Sequence, residues 1–223
     1  MQFHRKIFFS LVPLLIFADQ ATKVLVMKFV ECTGRLCEPG YPRVREGNYT
    51  SLSDAFATMS TGEPTPAFTV IDRFFTICHV KNPGAAFGIF GDPKHEAYRL
   101  AFFTVVTLVA FVMILWYYRQ LRADDRLLAI SLSSVFAGAA GNFIDRVLFR
   151  SVTDFLLVYI PRDTSLGEWL LQTVRTNQWP AFNVADVCIN VGVALFIIHV
   201  LFIEPKRARE DALAKASSEK SSN

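Results

Sequence analysis

The 223-residue chain is 52% hydrophobic and 19% charged, with 23 Lys+Arg against 20 Asp+Glu, a net charge of +3 and 21 phenylalanines. A mean hydropathy of +0.32 excludes disorder as the dominant state, because so apolar a chain collapses or enters lipid. The layout of the charges excludes a soluble domain: 19 residues after Arg99, 18 after Arg126 and 17 after Asp186 contain no Asp, Glu, Lys or Arg. At about 1.5 Å per residue, each run reaches about 26–29 Å, close to a hydrocarbon core of about 30 Å.

The first span is placed at about 7–27. Its apolar run from Ile7 to Ala18 resumes at Val24 after Asp19 and Lys23. His4, Arg5 and Lys6 in front of it also begin a cleavable secretory signal, but no small-x-small cleavage site follows. Residues 28–98 form a long outer segment, punctuated by Gly and Pro between 31 and 66. From Ala67 to Lys81, β-branched and aromatic residues predict strand, and Asn82-Pro83-Gly84 predicts a turn. Three further spans are placed at about 99–118, 127–149 and 184–203, with a second outer loop at about 150–181.

Arg5 and Lys6, the three arginines between 119 and 126, and the basic tail after Ile203 belong inside by the positive-inside rule. Both outer segments lack a basic excess. The predicted fold is therefore an all-α membrane bundle of four transmembrane helices with a small extracytoplasmic β platform. It is a single domain over 1–203, with a polar, frayed or disordered cytoplasmic tail over 204–223. No internal repeat is apparent.

On this topology Asp19, Lys23, Asp145, Arg146, Asp154 and Asp186 fall at one level near the outer leaflet. Ionisable groups are costly in a membrane and usually functional. Asp19 and Lys23 are spaced i, i+4, and Asn142 stands i+3 and i+4 from Asp145 and Arg146, so each set shares a helical face. Asn183, Asp186 and Asn190 line up on the last span, and Ala137 with Gly141 offers a small-xxx-small contact on the third. Taken singly, these residues read equally well as structural ion pairs or as hydrogen-bond glue between helices. Their concentration at one depth favours a shared site.

No G-x-S-x-G supports a serine nucleophile, and the four histidines are scattered. Adjacent Cys78 and His79 are expected to face opposite sides of a strand. No H-E-x-x-H or C-x-x-C spacing is present, so neither metal nor cofactor is expected. Carboxylate chemistry remains: two aspartates held close in a poorly solvated site share a proton, one acting as base toward water and the other as acid toward a carbonyl. A small ion- or proton-coupled transporter and a non-catalytic membrane assembly factor are the readings from other classes. Residue physics alone does not rank Asp154 above Asp145.

Five stretches sharpen the reading: Asp19-Gln20-Ala21-Thr22-Lys23, Asn82-Pro83-Gly84-Ala85-Ala86-Phe87-Gly88, Gly141-Asn142-Phe143-Ile144-Asp145-Arg146, Val152-Thr153-Asp154-Phe155 and Phe182-Asn183-Val184-Ala185-Asp186. In this order they resemble the lipoprotein signal peptidases (signal peptidase II). The resemblance implies a membrane aspartyl endopeptidase of the bacterial inner membrane that cleaves diacylglyceryl-modified prolipoproteins before the lipidated Cys. It implies Asp154 and Asp186 as the catalytic pair. Asp19, Lys23, Asn82, Gly84, Asn142, Asp145, Arg146, Asn183 and Ala185 would bind substrate or support the dyad. The implied partners are the lipid-modified prolipoprotein, membrane lipids and cyclic-peptide inhibitors of the globomycin type, with no nucleic acid. Residues 31–66 and about 157–180 look longer than typical family loops. Cys32, Cys37 and Cys78 would lie outside, where a disulfide is permitted, and Cys32–Cys37 is the candidate bridge.

Overall fold

The computed structural model describes residues 2–30, 32–34, 67–83 and 96–221. In chain order these form α1 (Gln2–Phe29), β1 (Cys32–Gly34), β2 (Phe68–Ile71), β3 (Phe75–Asn82), α2 (Glu96–Tyr118), α3 (Arg126–Phe149), β4 (Val152–Val158), α4 (Ser165–Thr173), α5 (Val184–Ile198), a π-helical turn (His199–Ile203) and α6 (Glu204–Ser221). Among the described residues, four helical stretches are long and apolar enough to cross a membrane: His4–Phe29, Ala97–Tyr118, Arg126–Phe149 and Val184–Ala214.

The central helix is α3, against which α1, α2 and α5 all pack. Its small residues explain the closeness of α5. A Cβ on Gly138 would stand 2.3 Å from the Ala185 carbonyl oxygen, and one on Gly141 would stand 2.4 Å from Asp19 Oδ2. Neither backbone leaves room for a methyl group, so helix approach and site geometry are set by the same residues. By contrast, α2 leaves Phe102, Val105, Val112, Met113 and Trp116 exposed, the surface expected of a lipid-facing helix.

β3 is the middle strand of a small four-stranded sheet. One edge pairs antiparallel with β2 and parallel with β1, and the other pairs antiparallel with β4. Within Ala67–Lys81, where strand is expected, β2 and β3 form a hairpin. It breaks at Asp72–Phe74, where Arg73 takes the left-handed φ of 58° and the Phe74 amide returns to Ile71 O. Strict alternation puts Cys78 and His79 on opposite faces, but the β3–β4 register slips between Ile77 and Val80, and both side chains are buried. Val26 and Val30 at the end of α1 pack with Phe68 and Phe155, which seats the sheet on the bundle.

The segment between α3 and α5 is structured too. α3 ends on Arg150 in the left-handed region, and β4 begins two residues later. α4 follows, its Thr164 side chain accepting the Gly167 amide as an N-cap. Leu156 then bridges to Phe182, bringing the chain back to α5. The tail, expected to be frayed or disordered, is helical as α6. Its Ala, Lys, Arg and Glu residues are strong helix formers, and it is tied to the α2–α3 connection by Arg207 on Asp124 (2.9 Å) and Asp125 and by Arg122 on Asp211 (3.0 Å). Gly84 and Cys37 lie outside the described residues, as does the side chain of Cys32, so the expected bridge falls there.

Candidate active site

The last turns of α1 before the sheet bring Asp19 and Lys23 against the far end of α3. Lys23 Nζ lies 2.8 Å from Asp19 Oδ2, 3.1 Å from Asp145 Oδ2 and 3.2 Å from Asn142 Oδ1. All three charged side chains are fully buried. A buried cation is tolerable only with such neutralisation, and here two carboxylates share one ammonium. Asp145 also accepts the Thr153 backbone amide at 3.0 Å, which fixes the first residues of β4 relative to α3.

α5 is anchored by the same residues. Asp19 Oδ1 accepts the Ala185 amide at 2.9 Å, and Ala185 has no exposed surface. Asn183 is the N-cap of α5 and forms a reciprocal capping box with Asp186, its side chain accepting the Asp186 amide while Asp186 Oδ2 accepts the Asn183 amide. The Nδ2 of Asn183 remains free to donate elsewhere, and it does so at 2.7 Å to Asp154 Oδ1. One residue thus holds both aspartates. A second amide, Asn142 Nδ2, donates to Asp186 Oδ1 at 2.8 Å.

Asp154 comes from β4 and is 3% exposed. Its second oxygen accepts Asn82 Nδ2 at 2.9 Å from the paired strand β3. Burial is the main cause pushing this carboxyl up to about 7, and the like charge of Asp186 acts in the same direction; the Asn82 and Asn183 amides, by stabilising the carboxylate, pull it down. Asp186 is half-buried. Arg146 donates to Asn142 O at 3.2 Å, stacks 4.6 Å from the centroid of the Phe103 ring, and lies within electrostatic reach of Asp186, Asp154 and Asp145.

The structure therefore brings together Asp19, Lys23, Asn82, Asn142, Asp145, Arg146, Asp154, Asn183, Ala185 and Asp186. Asn190 stays apart: it is exposed and donates to the Asp186 carbonyl one turn back on its own helix. Gln20 joins although spacing overlooks it, since i+1 from Asp19 does not share the i, i+4 face. Its Nε2 is 3.0 Å from both Asp19 Oδ2 and Asp145 Oδ1. An uncharged polar residue inside an apolar span was the available signal. Among the described residues, no group of three His, Cys, Asp or Glu side chains is arranged to hold a metal ion.

A family model described as signal peptidase (SPase) II matches residues 11–202. The chain is 43% identical over 133 residues to a lipoprotein signal peptidase of Desulforapulum autotrophicum, covering 60% of this chain and 73% of that protein. It is 42% identical over 142 residues to the lipoprotein signal peptidase of Geobacter metallireducens, covering 64% and 77%. A bacterial membrane enzyme solved by the in meso method at 1.9 Å resolution superposes with a TM-score of 0.54 at 25% identity, over 87% of this chain and 92% of that one. With its match reaching into all four apolar helices, this chain belongs to the signal peptidase II family.

Proposed function

We propose that Asp154 and Asp186 are the catalytic pair of a lipoprotein signal peptidase that cleaves diacylglyceryl-modified prolipoproteins before the lipidated Cys. The observation that carries this reading is the shared amide of Asn183, which donates to Asp154 while its capping box holds Asp186. Asp154, buried and raised to about 7, is the partner that holds a proton below about that pH. Asp186 sits at the positive end of α5 with N–H donors on both oxygens, which places it to take a proton from water.

In this mechanism a water adds to the scissile carbonyl carbon, giving its proton to Asp186, while Asp154 protonates the carbonyl oxygen. Asp186 then passes its proton to the leaving nitrogen as the C–N bond breaks, and Asp154 recovers one from the diol. Asp19, Lys23, Asp145 and Ala185 hold the helices that carry the pair. Asn82, Asn142, Asn183 and Arg146 face it directly, and Gly84 follows Asn82 and Pro83 in the chain. The domain runs over 1–203 in the bacterial inner membrane, both termini inside, with the sheet and the pair at the outer leaflet where a lipid-anchored substrate presents its bond. Cyclic peptides of the globomycin type would compete there.

The test is incubation of the purified protein with a diacylglyceryl-modified peptide and its unlipidated twin. Cleavage of the lipidated peptide alone is expected, and it should survive exhaustive chelation. Loss with EDTA and recovery with zinc would overturn the mechanism.

The pH dependence has a definite sign. Below about 7 Asp154 keeps its proton; above it Asp154 loses that proton, the acid is gone, and kcat should fall. Asn82→Ala removes a donor to the carboxylate, so the falling limb should move to higher pH. A limb that stays put or moves lower would show that Asp154 does not set it.

Topology is tested by impermeant thiol labelling in a variant lacking the native cysteines. Thr65→Cys should react from outside and Ser218→Cys should not; the reverse pattern would invert the assignment.

A further inference from the structure

At the end of the bundle away from the carboxylates, roughly 22 Å along α1 from Asp19, α1 and α2 both pack on α3 but part from each other. Between them lies a cavity of about 430 Å³. Its rim is pinned. Tyr118 Oη donates to His4 O at 2.6 Å, and the His4 ring meets Arg122 O at 2.7 Å, so the first turn of α1 is tied to the end of α2 and the connection beyond it.

The walls are apolar: Phe8, Phe9, Leu115 and the Tyr118 ring line the space, with Phe8 edge-on to Tyr118 and to Phe136 at centroid distances of 5.1 and 5.2 Å. Arg5 and Arg119 line the same cavity, and both are exposed. They differ from their neighbours in charge balance. Arg122 pairs with Asp211 and Arg207 with Asp124 and Asp125, whereas neither Arg5 nor Arg119 has a carboxylate partner among the described residues.

An apolar cleft between membrane-spanning helices with two uncompensated guanidiniums beside it is complementary to an amphiphile whose head is anionic. Guanidinium forks match phosphate oxygens in pairs, and basic pockets between spans are a recurring form of acidic-lipid recognition. A zwitterionic head would bring a second cation against the arginines and gain little. We propose that this cleft binds one anionic glycerophospholipid, its phosphate held by Arg5 and Arg119 and an acyl chain lying along Phe8, Phe9 and Leu115. The lipid fills the gap that α1 and α2 leave, so it belongs to the assembled bundle and not to the catalytic site.

Native mass spectrometry of the full-length protein tests this. The protein is released from detergent with phosphatidylglycerol or phosphatidylcholine of matched chains, with glycerol 3-phosphate as the free-anion competitor. Wild type should retain one phosphatidylglycerol in preference to phosphatidylcholine by about ten-fold or more, the scale expected of two basic side chains on one anionic head. Millimolar glycerol 3-phosphate should not displace it. Arg5→Gln/Arg119→Gln should lose the preference, and Arg119→Gln alone, at an exposed helix end, should lose part of it with the unfolding temperature unchanged. Arg175→Gln/Arg209→Gln removes the same charge from exposed positions that do not line the cavity, and should keep the preference. Equal retention of both lipids by wild type, an undiminished preference in both glutamine variants at 5 and 119, or loss of preference in the 175/209 control would overturn the proposal. Displacement by glycerol 3-phosphate would reassign the arginines to a free phosphate ester.

Discussion

Asp154→Asn and Asp186→Asn are each expected to lower kcat on a lipidated peptide by about 10²–10⁴-fold or more, the range removed when a positioned acid or base is lost. The local disturbance is too small to account for such a loss. At position 154 the two oxygens accept from Asn82 and Asn183, and an amide there keeps one acceptor and turns an N–H toward the other donor. One spoiled hydrogen bond costs about 1 kcal/mol, roughly five-fold. Substrate affinity should therefore change little while turnover disappears. The double variant should be no worse than either single, because two residues that share one proton act as a unit. Additive losses would mean that the carboxylates work in separate steps. Rates from single-turnover cleavage, with affinity from competition by an uncleaved lipidated peptide, separate these outcomes.

Lys23→Met is expected to have the largest effect on stability. The ammonium is fully buried between Asp19 and Asp145, and without it two carboxylates face each other across the α1–α3 contact. Removing one partner of a buried ion pair costs about 3–5 kcal/mol, a large share of a typical total of about 5–15 kcal/mol. The unfolding temperature in detergent should fall sharply and cleavage with it. Adding Asp145→Asn to Lys23→Met removes one stranded charge while keeping an acceptor for the Thr153 amide, so the double variant should be more stable than Lys23→Met alone. If it is less stable, Lys23 does more than balance charge, and the Asn142 contact at 3.2 Å becomes the term to examine.

Much of this arrangement was legible in the sequence because membranes leave a strong record. Charge-free runs mark the apolar helices, and the i, i+4 face of Asp19 and Lys23 is the one that meets Asn142 and Asp145. The elements between the apolar helices left weaker traces for identifiable reasons. β4 is covered on both faces along most of its length, so Val152–Val158 shows no alternation of polar and apolar residues. The hairpin turn at Arg73 contains no glycine to announce its positive φ. Asn82 reaches Asp154 only because Val80 stands opposite Asp154 and Asn82 opposite Val152 in the β3–β4 ladder, a pairing 72 residues apart in sequence that no local period encodes. Asn190 shows the converse: periodicity aligned it with Asn183 and Asp186, but it is exposed and its amide donates to the Asp186 carbonyl of its own helix. The helical tail was hidden by composition, since its Lys, Glu and Ser content suits disorder as well as a charged helix pinned by Arg207.

Three aspartates from α3, β4 and α5 lie in one hydrogen-bonded network, and only one pairing performs the chemistry proposed. The decisive measurement is cleavage of the diacylglyceryl-modified peptide by Asp145→Asn set beside Asp154→Asn at equal folded concentration. Asp145 contacts Lys23, Gln20 and the Thr153 amide, so its amide variant should be less stable yet retain measurable turnover. Asp154→Asn should be folded and inactive. Near-normal turnover in Asp154→Asn together with complete loss in folded Asp145→Asn would contradict the assignment and move the pair to Asp145 and Asp186.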